Sequence, residues 1–446
     1  MRVLIAGAGE VGFHLAKLLA RENQDIVIID KDENRLEYAE NHLDVFTLKG
    51  DATCPRMLRD AKIEKTDLLI AVTSTEAHNI AICIIGKQMG AKSTVSRVSN
   101  TEFFSKDSGV HLNDLGIDFM ISPERLAANE IERLVKRIEF TDSFEFDDGL
   151  LHLVGMHLQK SSPVVGKRIS ETEYLNPNLD FIPVAIKRKN FTIIPRKDHY
   201  FEEDDFVYFI AKEEGLKILA SISGNKKVTP KNIMILGGSR IGEKTARKMA
   251  EKYNVKIIEQ DKNKCYELSE SLDNVLVING DVRNVELLEE ENIDNIDIFI
   301  AVTGTSATNI MSCLVAKAHG VEKTIALVEN IDYINLSQKI GVDTMINKKL
   351  IAASSIFRHI RSGEVLSLAN LHGVDAEILE FKATSNSKVT KKLIKDLNFP
   401  KKSLIGGVIR NGEGFITQGS FQIEENDHVV VFAMQEQISE VEQFFK

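Results

Sequence analysis

The chain states one pattern twice, and that duplication limits its fold more than any other property of its 446 residues. VLIAGAGEVG (3–12) returns as IMILGGSRIG (233–242), and DIVIIDKDENR (25–35) returns as VKIIEQDKNK (255–264). KGDATCPRML (49–58) returns as NGDVRNVELL (279–288). LLIAVTSTEAHNIAICIIGKQMGA (68–91) returns as IFIAVTGTSATNIMSCLVAKAHGV (298–321). A period of about 230 residues is too long for a solenoid repeat and long enough for a domain pair, so two equal units are expected.

Each unit opens with β-branched runs alternating with amphipathic stretches. RVLIAGAG reads as a strand, and VGFHLAKLLARE as a helix with Val11, Leu15, Leu18 and Leu19 on one face. DIVIID, DVFTLKGD, LLIAVTS and STVSRVS read as further strands, with AHNIAICIIGKQMG as a helix among them. Nearly continuous apolar strands joined by helices make a parallel sheet covered on both faces. After FMISP comes a helix, ERLAANEIERLVKRI, striped by Leu126, Ala127, Ile131, Leu134, Val135 and Ile138. Its counterpart is KKLIAASSIFRHIRSG (348–363). Such a stripe packs on its own domain or on a second copy of the protein. Short strands and turns follow, as LLHLVGMHL, DFIPVAIKRKNFTIIP and EEDDFVYFIAK, and repeat as DAEILEFKA, SLIGGVIRNGEGFITQG and EENDHVVVFAM.

The expected fold class is therefore α/β, with two Rossmann-like doubly wound parallel sheets, each followed by a small α+β module. The expected boundaries are 1–122, a connecting helix at 123–139, and a module at 140–224. The second set is 230–347, 348–364 and 365–446, after the polar linker SGNKKVTPKN (223–232).

Gly7-Ala8-Gly9-Glu10-Val11-Gly12 follows a strand and opens a helix. The first glycine permits the turn, the second lets backbone approach a pyrophosphate, and the third lets helix and strand pack closely. The helix N-terminus offers free N–H groups to phosphate. Asp30 ends the second strand, where a carboxylate binds ribose hydroxyls and repels a 2′-phosphate, which favours NAD over NADP. Asp51 accepts from ligand or caps a turn. Thr73 and Ser74 face the ligand or cap the next helix. Arg97 pairs with an anion such as phosphate or reaches solvent.

The second copy departs from this. Its loop is Gly237-Gly238-Ser239-Arg240-Ile241-Gly242, with Ser239 in place of the middle glycine. Glu259 keeps the carboxylate of Asp30, and Asp281 and Thr303 are retained. Leu327 replaces Arg97, and Arg240 compensates for the lost charge. The second site is expected to bind, and to behave differently from the first.

Several classes are excluded or disfavoured. A net charge of −10 without a basic stripe argues against nucleic acid. The cysteines at 54, 83, 265 and 313 form no CxxC pair and no Cys/His ligand cluster, so no metal is expected. Cys83 and Cys313 read as small buried hydrophobes. No apolar run approaches membrane-spanning length, and Met1 leads directly into a strand, so the chain is expected in the cytoplasm. There is no GxxxxGK[ST] and no Tyr-x-x-x-Lys, and His14, His42, His78 and His111 have no dyad partner, so catalysis finds no constellation. The alternatives are an NAD-dependent oxidoreductase and a nucleotide-sensing regulator of another cation transporter.

Carried by AGAGEVG, VIIDKDENR, GDAT, AVTSTEAHN and the SRV of the fifth strand, with their second copies, the sequence resembles the regulatory subunits of Trk-type potassium-uptake systems, built of tandem RCK (KTN) domains. The resemblance covers essentially the whole chain. It implies a homotetrameric gating ring, peripheral on the inner face of the membrane, beneath a potassium channel or transporter subunit of Trk type. It implies that NAD(H), ATP or ADP binds the crevices. The contacts it implies are Gly7 to Val11, Asp30, Asp51, Thr73, Ser74 and Arg97, then Gly237 to Ile241 and Glu259.

Overall fold

The computed structural model describes residues 1–20, 24–104, 109, 112–189, 191–223, 230–330, 340–360, 365–370 and 376–446. Most of the expected linker (224–229), His111 and the end of the expected second connecting helix (361–364) lie outside these.

The first parallel sheet contains β1 (Arg2–Ala6), β2 (Asp25–Asp30), β3 (Phe46–Lys49), β4 (Leu68–Ala71), β5 (Ser93–Arg97) and β6 (Phe119–Ile121). Their order is β3-β2-β1-β4-β5-β6, the doubly wound order whose switch point lies between β1 and β4. The connecting helices are α1 (Glu10–Ala20), α2 (Glu33–His42), α3 (Pro55–Asp60) and α4 (Glu76–Gln88). The connecting helix of the first unit is α5 (Pro123–Lys136), N-capped by Ser122, whose hydroxyl accepts from Arg125 N–H at 3.3 Å.

An antiparallel sheet follows: β7 (Asp142–Phe146), β8 (Leu151–His157), β9 (Phe181–Arg188), β10 (Phe191–Ile193) and β11 (Phe206–Ala211), in the order β10-β9-β11-β8-β7. It is closed by α6 (Glu213–Ile222).

The second parallel sheet repeats the first with β12 (Asn232–Leu236), β13 (Asn254–Glu259), β14 (Val275–Asn279), β15 (Ile298–Ala301), β16 (Lys323–Leu327) and β17 (Thr344–Ile346), in the order β14-β13-β12-β15-β16-β17. Its helices are α7 (Arg240–Met249), α8 (Lys262–Ser271), α9 (Val285–Glu290) and α10 (Ser306–Ala318). The second connecting helix is α11 (Lys348–Ile360). The last sheet has β18 (Val365–Asn370), β19 (Ala376–Lys382), β20 (Ser403–Arg410), β21 (Glu413–Ile416) and β22 (His428–Met434), and α12 (Ile438–Glu442) ends the chain. Strands β7 and β18 and helix α6 extend what the turn-rich pattern suggested, because their apolar periodicity is short.

The connecting helices exchange places. The α5 residues Ala127, Ile131, Leu134 and Val135 are buried in one cluster with Ile233, Ile241, Ala246 and Met249 of the second unit. Reciprocally, Ala352, Ala353, Ile356 and Phe357 of α11 are buried with Val3, Val11, Leu15 and Leu19 of the first. Most of the α5 stripe is covered by the other half of the same chain, while Leu126 packs on the cluster that holds the first sheet. Full burial is worth about 1.5–3 kcal/mol per large apolar side chain, so each half completes the core of the other. The two antiparallel sheets also share a core, where Leu151, Val184 and Ile210 meet Ile378, Ile409 and Phe432.

All four cysteines are unpaired, and burial pushes the Cys83 thiol up to about 12.

One buried charge sits at a junction between halves. Lys323 is 5 % exposed, and its Nζ donates to the Phe140 carbonyl at 2.9 Å. Burial pushes its pKa down, against the opposing pull of Asp343 and Asp142. The unfolded lysine keeps its proton up to about 10.4, so below that pH the unfolded state binds more protons and stability rises with pH. That gain is lost as pH falls to the folded-state value, below which the penalty is complete. Chemical denaturation of Lys323→Met should show a flatter rise between neutral pH and about pH 10 than the parent. Equal slopes would mean that Lys323 does not titrate across folding.

Candidate nucleotide site

The switch point of the first sheet opens into a crevice of about 1550 Å³. Gly7, Ala8, Gly9, Glu10, Val11, Asp30, Asp51, Thr73, Ser74 and Arg97 all line it. Gly12 lies beneath, on the helix. Gly7 holds φ +114°, which a side chain rarely adopts, and its carbonyl faces Gly12 so closely that a Cβ there would stand 1.9 Å away. Gly9 has room: the nearest atom to an added Cβ is Arg35 Nη1 at 3.9 Å.

Asp30 holds the loop as well as facing the crevice. Its Oδ2 accepts from Ala8 N–H at 2.6 Å and its Oδ1 from Asp32 N–H at 2.9 Å. Glu259 does the same for Gly238 N–H at 2.6 Å and Asp261 N–H at 2.8 Å. The longer side chain thus reproduces the same staple. Asp51 accepts from Thr53 N–H at 2.9 Å and Thr53 Oγ1 at 2.7 Å, and meets Lys31 Nζ at 2.9 Å. The hydrogen bond from Lys31, then those from Thr53, hold its carboxyl well below the usual range. It is both a turn cap and a member of the crevice wall.

Thr73 is held by a residue the motif reading passed over. Asn79, 1 % exposed, accepts from Thr73 N–H at 2.8 Å and Thr73 Oγ1 at 2.7 Å. Its amide donates to Thr73 O at 3.2 Å and Arg97 O at 3.0 Å. Asn309 does the same for Thr303 and Leu327 O. The signal was present, since the same asparagine stands six residues past the threonine in both copies. Ser74 stays exposed at the crevice mouth. Arg97 finds its anion within the chain: its Nη2 lies 3.2 Å from Glu124 Oε1 at the start of α5.

The remaining wall comes from elsewhere. Phe13 and Tyr38, with ring centroids 5.1 Å apart, make an aromatic rim, and His14 beside them is held neutral chiefly by burial. Ser306, Glu329, Asn330, Lys348 and Lys349 arrive from the second half. Lys349 has a side chain only 6 % exposed, and pairs with Glu10 across the halves and with Glu329 at 3.5 Å. Lys348 meets Glu329 at 3.1 Å. Nothing in the local motif of the first unit announces them.

In the second loop, Ser239 caps α7: its hydroxyl accepts from Gly242 N–H at 3.3 Å and donates to Val302 O at 2.9 Å. The aromatic rim is gone, since Glu243 and Glu267 stand where Phe13 and Tyr38 stood.

Residues 3–123 and 233–348 match the TrkA-N domain family, and 153–224 and 378–446 match the TrkA-C domain family. The chain is 34 % identical to the Trk system potassium uptake protein TrkA of Halomonas elongata, covering 100 % of this chain and 99 % of that one. The chain belongs to the TrkA family. A TrkA homolog of Methanosarcina mazei is 33 % identical, with 100 % of both chains covered. Among solved structures, this TrkA-family chain is similar to the GsuK channel bound to NAD, with TM-score 0.62, 15 % identity, and coverage of 100 % of this chain and 78 % of that one. It is also similar to GsuK bound to ADP, with TM-score 0.51, 13 % identity and coverage of 81 % and 70 %. These structural likenesses speak to the fold, two tandem RCK units.

The two crevices of this TrkA-family chain should answer ligands differently. In calorimetry of the full chain, Asp30→Ala should weaken NAD binding, Glu259→Ala should change binding to a different extent, and NADP should bind poorly throughout. Identical effects of the two substitutions would mean that Ser239, Leu327 and the lost rim do not matter.

Proposed function

We propose that the chain is the nucleotide-sensing regulatory subunit of a Trk-type potassium uptake system. NAD(H), ATP or ADP binds the first crevice at Gly7 to Gly12, Asp30, Asp51, Thr73, Ser74 and Arg97. The second crevice, at Gly237, Gly238, Ser239, Arg240, Ile241 and Glu259, takes the same moiety with a different preference. The glycine loop receives the diphosphate, and Asp30 the ribose.

One observation carries the sensing role: the first crevice is walled by both halves. A ligand there touches α1 and, through Lys348 and Lys349, the helix that crosses from the second unit. Its affinity therefore depends on how the halves are spaced, and a ligand shifts a two-state protein only through such differential affinity. A nearly complete switch takes about 5.5 kcal/mol, whereas one coupling supplies about 1–3 kcal/mol. Several linked sites in a closed ring reach that total. The chain acts as a homotetramer on the cytoplasmic face of a potassium-conducting partner, since closed symmetry suits a central pore. It regulates and turns over no substrate. Among the described residues no helix is long and apolar enough to cross a membrane. In this reading conduction belongs to the partner.

Potassium flux through the reconstituted partner tests this. Flux should change with the subunit present, and change again with NADH, ATP or ADP, while absorbance at 340 nm stays flat with candidate substrates. Flux indifferent to subunit and nucleotide would remove the gating role, and a micromolar monomer in light scattering would remove the ring.

A further inference from the structure

The exchanged helices carry a pattern of charge that reverses between the halves. Glu10 of α1 faces Lys349 of α11 in an ion pair. At the equivalent positions of the other junction stand Arg240 on α7 and Glu124 on α5. Glu124 acts electrostatically on Lys244, one turn along α7. Two turns further on, Glu132 of α5 pairs with Lys248 of α7 at 2.5 Å. The equivalents there are Phe357 of α11 and Leu18 of α1, which share one apolar cluster. Three of these four pairs are in contact across the junctions; Glu124 instead pairs with Arg97 of its own half and acts on α7 through the field it sets up at Lys244.

Pairing of like halves between two copies fails at both positions. Seating α5 of one copy on α1 of another sets Glu124 against Glu10 and Glu132 against Leu18. Seating α11 on α7 sets Lys349 against Arg240 and Phe357 against Lys248. Like charges repel, and an ion set against an apolar side chain loses its partner across the junction, Glu132 then keeping only Lys136 of its own helix. Discrimination of this kind arises from what the wrong pairing costs.

We propose that these four pairs of positions are an address that directs the first half to the second and rejects contact between like halves of neighbouring copies. In a ring built from many similar units, that address settles which surface stays inside each chain and which remains for assembly. The surface fits a complementary half and no like one.

Recoding the full chain tests it. Glu10→Arg with Leu18→Lys gives the first unit the side chains of the second. Lys349→Glu with Phe357→Glu gives α11 those of α5. Each pair of substitutions alone should lower the thermal midpoint by about 3–6 °C and produce species heavier than the parent in light scattering. All four together should restore the parent mass and more than half of the lost midpoint. A fourfold variant no better than either twofold one, or twofold variants indistinguishable from the parent, would overturn the address. If the twofold variants do not fold, Glu132→Lys and Lys248→Glu provide the same cycle at partly exposed positions. There the double reversal must recover more than half of the single losses, and a smaller recovery overturns the proposal.

Discussion

Gly12→Ala is expected to cost about 3 kcal/mol of stability, the upper range for overpacking, and to abolish nucleotide binding at the first crevice. The added Cβ would stand 1.9 Å from Gly7 O and 3.1 Å from Gly7 C, both backbone atoms. Neither a rotamer change nor a flexible neighbour relieves that contact. Helix α1 must retreat from the loop, and its N-terminal N–H groups then leave the position from which they meet phosphate. Gly9→Ala separates the two effects. Its Cβ finds nothing nearer than 3.9 Å in the protein, but Gly9 lines the crevice in which the proposed diphosphate would lie. It should leave thermal unfolding nearly unchanged and weaken NAD binding about tenfold, a loss of about 1.4 kcal/mol. Thermal unfolding and calorimetry on both variants check this, and a Gly12→Ala chain as stable as the parent would refute the packing argument.

Asn79→Ala should lose about 3 kcal/mol, because it strips partners from several buried groups at once. Thr73 N–H, Thr73 O and Arg97 O each lose a hydrogen bond to the Asn79 side chain. The turn from β4 into α4 then loses its tie to β5, so the threonine and serine that face the crevice lose their support. Asn79→Asp should do little better, since a carboxylate cannot donate to two carbonyls. Urea denaturation measures the stability, and a loss below about 1 kcal/mol would mean that water replaces the amide.

What could be read from sequence was what is local. The glycine loop, Asp30 and the alternation of strands and helices follow from spacing within β-α-β units, and two copies of each signal reinforced them. Glu259 was legible for the same reason, since it ends a strand as Asp30 does. The exchanged helices were not legible, because an apolar stripe states that it is covered but not by what. Lys348 and Lys349 stayed hidden for a related reason: they lie roughly 340 residues along the chain from the loop they face. The pairing of Arg97 with Glu124 depends on how α5 leaves β6, which periodicity does not encode. Asn79 was visible in both copies, but a single asparagine inside a helix pattern carries no local signature of its bonds.

The exchange of α5 and α11 also sets a timetable for synthesis. The first sheet leaves the ribosome complete at residue 121, yet the helix that covers its α1 face begins at Lys348. At about 5–20 residues per second, that groove stays open for on the order of 10–45 seconds. Throughout that time the nascent chain presents Val11, Leu15 and Leu19 to its neighbours, and two chains growing on one message are the nearest competitors for the groove.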